Sequence, residues 1–234
     1  MNRRDFLAVS VPALSALPLL AADEKSSGIT AAQALKEIQE GNVRFVSGKT
    51  KRPNASLDRV KLTGSQGQHP HTAIITCADS RVPPEILFDQ GIGDVFTVRV
   101  AGNVSNNDEV ASIEYAVEHL GASLCVVMGH SSCGAVKAIV DGGDYPADLV
   151  KLTADIQTAK KNTQQANPNL KGDALLNATI RTNVLLSLEH LIRNGAATRA
   201  ALKAGKIMAV AAVYDVATGK VEWLGPHPNQ AKLV

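Results

Sequence analysis

Hydrophobic and polar positions along the chain fall into two alternating rhythms. Residues 94–100 read as a strand, and residues 72–77, 123–128 and 207–214 are short continuous apolar runs. Their continuity predicts strands covered on both faces, as in a parallel sheet. Between them the spacing becomes helical. Val110, Ile113, Ala116, Val117 and Leu120 line one face of a helix that Ser105 can cap, that Asp108 and Glu109 favour at its N-terminus, and that stops at Gly121. Residues 134–140 start another helix, and Pro83-Pro84-Glu85 suits the first turn of a short one. Residues 149–163 and 175–193 read as longer helices separated by Asn167-Pro168, and residues 200–203 add a turn. At the start, Thr30 caps a helical arm over residues 31–40 that Gly41-Asn42 interrupts, and residues 47–67 read as a surface connection. At the end, Thr218-Gly219 turns the last run into residues 220–224, an antiparallel edge hairpin. The prediction is an α/β fold: a mostly parallel central sheet of four to five strands flanked by helices, with an antiparallel C-terminal edge hairpin and an N-terminal helical arm.

Composition narrows the partners. With 45% apolar and 20% charged residues in 234, the chain suits one globular domain. A net charge of +2 and only 3% aromatic residues leave neither a basic footprint nor a stacking platform, so nucleic acid is not an expected partner. Residues 1–22 stand apart. Arg3 and Arg4 precede Phe6-Leu7 and an apolar stretch broken by Pro12 and Pro18, marginal for a spanning helix. Asn2-Arg3-Arg4-Asp5-Phe6-Leu7 is similar to a twin-arginine export signal. The expectation is an export signal over 1–22, a single domain over 23–234, a periplasmic or otherwise exported location, and no stable membrane span in the mature chain. Three cysteines, Cys77, Cys125 and Cys133, are too few for a disulfide framework. Metal ligation would protect free thiols in an oxidising compartment, while Cys125, inside an apolar run, reads as a small core residue.

Two clusters carry the chemistry. Cys77-Ala78-Asp79-Ser80-Arg81 follows the first strand, and His130-Ser131-Ser132-Cys133-Gly134 follows the third. In an open α/β sheet the carboxyl ends of strands are where ligands collect. Two thiolates and one imidazole, Cys77, Cys133 and His130, suit zinc and leave a fourth tetrahedral position free. Asp79 has two available roles: it fills that position, or it pairs with Arg81 and leaves the position to water. A bidentate Asp–Arg pair would keep Asp79 an ionised acceptor able to orient hydroxide, which zinc makes available at neutral pH.

These motifs resemble those of the β-class carbonic anhydrases, and Gly41-Asn42-Val43-Arg44-Phe45, Arg99-Val100-Ala101-Gly102-Asn103, Ser112-Ile113-Glu114-Tyr115-Ala116 and the Tyr214-Asp215 hairpin are similar too. The resemblance spans roughly residues 30 to 225. It implies a one-zinc-per-chain enzyme that interconverts CO₂ and bicarbonate through zinc-bound hydroxide, as a homodimer or dimer of dimers. It implies Cys77, His130 and Cys133 as metal ligands, Asp79 and Arg81 as the catalytic dyad, and Gln68, Phe96 and Gly134 as substrate-pocket residues. Asp79 would be a fourth ligand in a closed state. Arg99 and Tyr214 match two residues of a bicarbonate site found in some members, but Ile74 stands where that site has tryptophan. His69 and His71, in the loop of Gln68, are the nearest candidates for a proton shuttle in sequence. Two other readings compete: hydrolysis of another heterocumulene such as carbonyl sulfide or carbon disulfide, and a non-catalytic zinc or thiol protein.

Overall fold

The structure, a computed structural model, describes residues 27–143 and 145–234; the export-signal reading of residues 1–22 lies outside them. In chain order the elements are α1 (Ala31–Val46), α2 (Leu57–Gln66), β1 (Thr72–Cys77), α3 (Pro84–Leu87), β2 (Val95–Val100), a 3₁₀ turn (Ala101–Asn103), α4 (Asn107–His119), β3 (Leu124–His130), α5 (Gly134–Asp141), α6 (Ala147–Leu152), α7 (Ala154–Ala166), α8 (Gly172–Asn194), α9 (Ala196–Lys203), β4 (Met208–Tyr214), β5 (Val221–Gly225) and α10 (Gln230–Leu233).

The sheet order is β2-β1-β3-β4-β5. The first four strands are mutually parallel and β5 runs antiparallel to β4. Strand alternation sorts the core into two faces. Ala73, Ile75, Cys125 and Val127 point to one face with Val184, Leu188 and Leu191 of α8 and Val110 and Ile113 of α4. Ile74, Val126 and Met128 point to the other with Ala34 and Ile38 of α1 and Phe88 just beyond α3. Burial of β1 and β3 on both faces explains their unbroken apolar sequences.

Four expectations need correction. Gly41-Asn42 does not interrupt α1, which is continuous from its Thr30–Gln33 capping box to Val46. The glycine is there because a Cβ would stand 1.7 Å from the Phe88 carbonyl oxygen. Residues 47–67 are not all loop: Ser56 caps α2, which buries no residue against this chain's core. The N-cap of α4 is Asn106, whose backbone N–H donates to the Glu109 carboxylate at 2.9 Å, and Ser105 is buried instead. Residues 149–163 belong to two helices, α6 and α7, which meet at buried Thr153.

Candidate metal centre

Cys77 is the last residue of β1 and His130 the last of β3, the two central neighbours in the sheet. After His130 the chain reverses through Ser131-Ser132, with Ser132 at φ +55°, and enters α5 with Cys133 as its N-cap. That tight strand-to-helix turn returns Cys133 to the strand ends. The ligand atoms of Cys77, His130 and Cys133 all lie within 4.8 Å of one another, and all three residues are buried. Among the described residues this is the one such group.

Three observations show that the donor set fits a divalent metal. The sulfurs of Cys77 and Cys133 are 4.0 Å apart. Contact with Cys133 holds the Cys77 thiol down, and Cys77 in turn pushes Cys133 up. Two thiolates this close would repel each other, and a cation between them would let both be ionised. Secondly, His130 Nε2 is buried without a hydrogen-bond partner, a costly state for a polar atom unless it serves as a ligand. Thirdly, His130 Nδ1 lies 2.9 Å from the Ser131 carbonyl oxygen. Nδ1–H must be the donor there, which leaves the lone pair on Nε2 and fixes the ring. The backbone supports the sulfurs as well. Gly102 N–H donates to Cys77 Sγ at 3.3 Å, and Cys133 stands at the N-terminus of α5.

Beside this group, Arg81 grips Asp79 three times. Its Nε and backbone N–H donate to Oδ1, both at 2.9 Å, and Nη2 donates to Oδ2 at 2.7 Å. The guanidinium holds the carboxyl well below the usual carboxylate range. Asp79 Oδ2 is 3.8 Å from His130 Nε2, so the pinned carboxylate borders this group without a bond to it. Arg81 Nη2 also donates to the Ser132 carbonyl at 3.3 Å, tying the two clusters together.

The structure gathers Cys77, Asp79, Arg81, His130 and Cys133 at the carboxyl ends of the strands. Gly134 is there too, as the first residue of α5, although a Cβ on it would meet nothing within 4 Å. Gln68 and Phe96 are elsewhere. Gln68 precedes β1, and Phe96 pairs with Ala73 near the start of β1. At about 3.3 Å per residue this puts Phe96 about 13 Å from the level of Cys77. Phe96 packs instead on Tyr115, with ring centroids 6.2 Å apart. His69 is exposed on the same loop, and His71 bonds Thr72 Oγ1 at 2.7 Å and Gln90 Oε1 at 3.1 Å. Neither is near this chain's own ligands. Arg99 donates to the carbonyls of Cys77 at 3.1 Å and Asp79 at 2.6 Å, bracing the ligand loop. Two supporting contacts join segments far apart in the chain, in stretches that the family resemblance included without assigning them these contacts. Gly102 reaches Cys77 through its main chain, and Asp215, just after β4, accepts from Ser131 Oγ at 3.1 Å.

A Cys₂His cradle at the carboxyl ends of parallel strands, with an ionised acid pinned at its edge, defines a metal-dependent α/β enzyme. The carbonic anhydrase family model matches residues 72–221, which include both ligand clusters. A carbonic anhydrase of Mycolicibacterium smegmatis is 37% identical over 81% of this chain and 91% of its own length. Carbonic anhydrase 2 of Mycobacterium tuberculosis is 48% identical over 52% of this chain and 61% of its own length. The β-carbonic anhydrase CafA of Aspergillus fumigatus superposes with a TM-score of 0.67 at 25% identity, over 86% of this chain and 95% of that one. The chain belongs to the carbonic anhydrase family, in its β class.

Proposed function

We propose that this member of the family hydrates CO₂ reversibly to bicarbonate and a proton, with one zinc ion held by Cys77, His130 and Cys133. One observation carries the reading: an unpartnered His130 Nε2 converges with two sulfurs 4.0 Å apart beside a carboxylate that an arginine keeps occupied. Zinc, when bound, supplies a nucleophile at neutral pH by lowering the pKa of water to about 7, a value for which carbonic anhydrase is itself the reference case.

The chain's own residues do the rest. Ser131 holds His130 in the tautomer that presents Nε2. Arg81 does two things for Asp79: it keeps the carboxylate ionised, and it keeps Oδ2 engaged so that the acid does not compete as a fourth ligand. Asp79 is thereby an acceptor at the edge of the centre, available to orient the attacking water's proton away from CO₂. Burial of Cys77, His130 and Cys133 limits water access to the cradle from the core side.

The pocket reading of Gln68 and Phe96 requires a second copy, since neither reaches this chain's own cradle. A homodimer, alone or paired again, would bring them to another copy's ligands. The surface supports that assembly. Leu57 is 77% exposed on α2, and Val43, Val60 and Tyr115 are exposed too, apolar area that a partner would cover. Export by a twin-arginine signal over residues 1–22, leaving the domain over 23–234 in the periplasm, is supported by Asn2-Arg3-Arg4-Asp5-Phe6-Leu7 and by three free cysteines, two of them in the cradle.

Stopped-flow CO₂ hydration on zinc-loaded and chelator-stripped protein, with carbonyl sulfide as rival substrate, tests the reading. Zinc-dependent hydration with little carbonyl sulfide turnover is expected. Preference for carbonyl sulfide would reassign the substrate, and metal-independent activity would refute the site. Asp79→Ala should lose most turnover with zinc still near one per chain.

A further inference from the structure

Helix α8 crosses the sheet face with an apolar side, yet Thr179, Asn183 and Ser187 are fully buried on one stripe of it. Residues four apart on a helix share a face. A buried polar side chain destabilises the fold unless it is bonded. Thr179 Oγ1 and Ser187 Oγ have no hydrogen-bond partner, but Asn183 Nδ2 donates to the Gly102 carbonyl at 2.8 Å. Gly102 is the residue whose N–H donates to Cys77 Sγ at 3.3 Å.

The conformation of Gly102 gives that bond its purpose. Gly102 and Asn103 are consecutive left-handed residues, at φ +76° and +48°. A Cβ on Gly102 would stand 2.5 Å from Ile156 Cδ1, so the chain there is squeezed between α7 and the cradle. The single 3₁₀ turn over Ala101–Asn103 has a left-handed residue at its middle and so constrains the Gly102 peptide weakly. The bond from α8 is the further hold on its carbonyl.

We propose that Asn183 is a positioning residue of the metal centre: its side-chain amide fixes the Gly102 carbonyl so that the Gly102 N–H stays aimed at the Cys77 sulfur. The proposal rests on the reading of Cys77 as a metal ligand. A donor directed at a sulfur favours its ionised form and orients it for coordination. Loss of Asn183 leaves the Gly102 carbonyl buried without its partner and frees the turn to rotate. Loss of Thr179's hydroxyl, on the same stripe one turn away, removes no bond.

The experiment compares the full-length wild type with Asn183→Leu and Thr179→Val, each purified metal-free. Zinc affinity is read by competition with a chromophoric chelator, and the ligand field by the sulfur-to-cobalt charge-transfer band after Co²⁺ loading. Asn183→Leu should bind zinc about 10- to 100-fold more weakly with a shifted cobalt band, while Thr179→Val matches the wild type. Wild-type affinity and spectrum in Asn183→Leu would overturn the proposal, and so would an equal loss in Thr179→Val, which would mark a general effect of α8. Should Asn183→Leu not fold, the wild type loaded with ¹¹³Cd decides the matter. Scalar coupling between the metal and the Gly102 amide proton is expected, and its absence overturns the proposal. A wild type that takes up no zinc would overturn this proposal and the metal site together; a zinc-binding wild type with an unaffected Asn183→Leu overturns this proposal alone.

Discussion

Replacing Gly41 by alanine sets two opposed effects against each other. In a helix interior alanine is favoured over glycine by about 1 kcal/mol. At Gly41, however, the new Cβ would lie 1.7 Å from the Phe88 carbonyl oxygen and 2.7 Å from its carbon, so α1 must lift away. The next residue makes that movement costly. Asn42 Nδ2 donates to the carbonyls of Leu87 at 3.1 Å and Gly219 at 2.9 Å, and its Oδ1 accepts from Val221 N–H at 3.0 Å. Three bonds at about 1 kcal/mol each, with some loss of burial at Ala34 and Ile38, outweigh the propensity gain. The net destabilisation is about 2–4 kcal/mol, which for a domain of this size lowers Tm by roughly 5–15 °C. Gly64→Ala on α2 is the matched control, because its Cβ meets nothing within 4 Å and only the propensity gain remains. Thermal unfolding of the two variants and the parent decides it. Gly41→Ala as stable as Gly64→Ala would refute the packing of α1 against Phe88.

Further outcomes follow from the same geometry. Arg81→Ala releases Asp79 to compete for the metal; CO₂ hydration should fall about 100-fold or more while zinc measured by atomic absorption stays near one per chain. Cys133→Ala should lose zinc in the same assay, since the cradle then holds one sulfur. His190 Nδ1 lies 3.0 Å from Asp155 Oδ2, linking α8 to α7, and that bond raises the His190 pKa above its usual 6.5. A raised folded pKa means stability that is full below about pH 6.5 and is lost as pH rises through the folded value. Asp155→Asn should flatten that decline in denaturant titrations taken across the interval. Leu57→Asp should weaken self-association in sedimentation velocity without a change in the circular dichroism spectrum, because α2 buries none of its residues within the chain.

The strands, and the convergence of the Cys and His side chains at their ends, were legible because one constraint shaped both. β1 and β3 are covered on both faces, so their sequences are continuous and apolar, and the first polar residues after them mark the strand ends. Cys77 and His130 sit at those boundaries. Helix α2 was illegible because it presents no face to this chain's core. The continuity of α1 was hidden by Gly41, whose reason is a close approach of Phe88 from far along the chain. Asp79 and Arg81 are two residues apart, so their pairing could be anticipated from the sequence alone. The bonds from Gly102 to Cys77 and from Asn183 to Gly102 join distant segments through a main-chain turn, and residue type gives no sign of them. Gln68 and Phe96 entered through family likeness, and only the register of β1 with β2 shows that they lie at the opposite end of the sheet from the cradle.

Zinc-edge X-ray absorption on the active wild type and on zinc-loaded Asp79→Ala tests whether two sulfurs and one imidazole grip a zinc from which Arg81 keeps Asp79 away. Two sulfurs at about 2.3 Å and one nitrogen at about 2.0 Å with one further light atom are expected, alike in both proteins. Active protein without zinc, a sulfur count other than two, or a light atom that Asp79→Ala abolishes would refute this coordination.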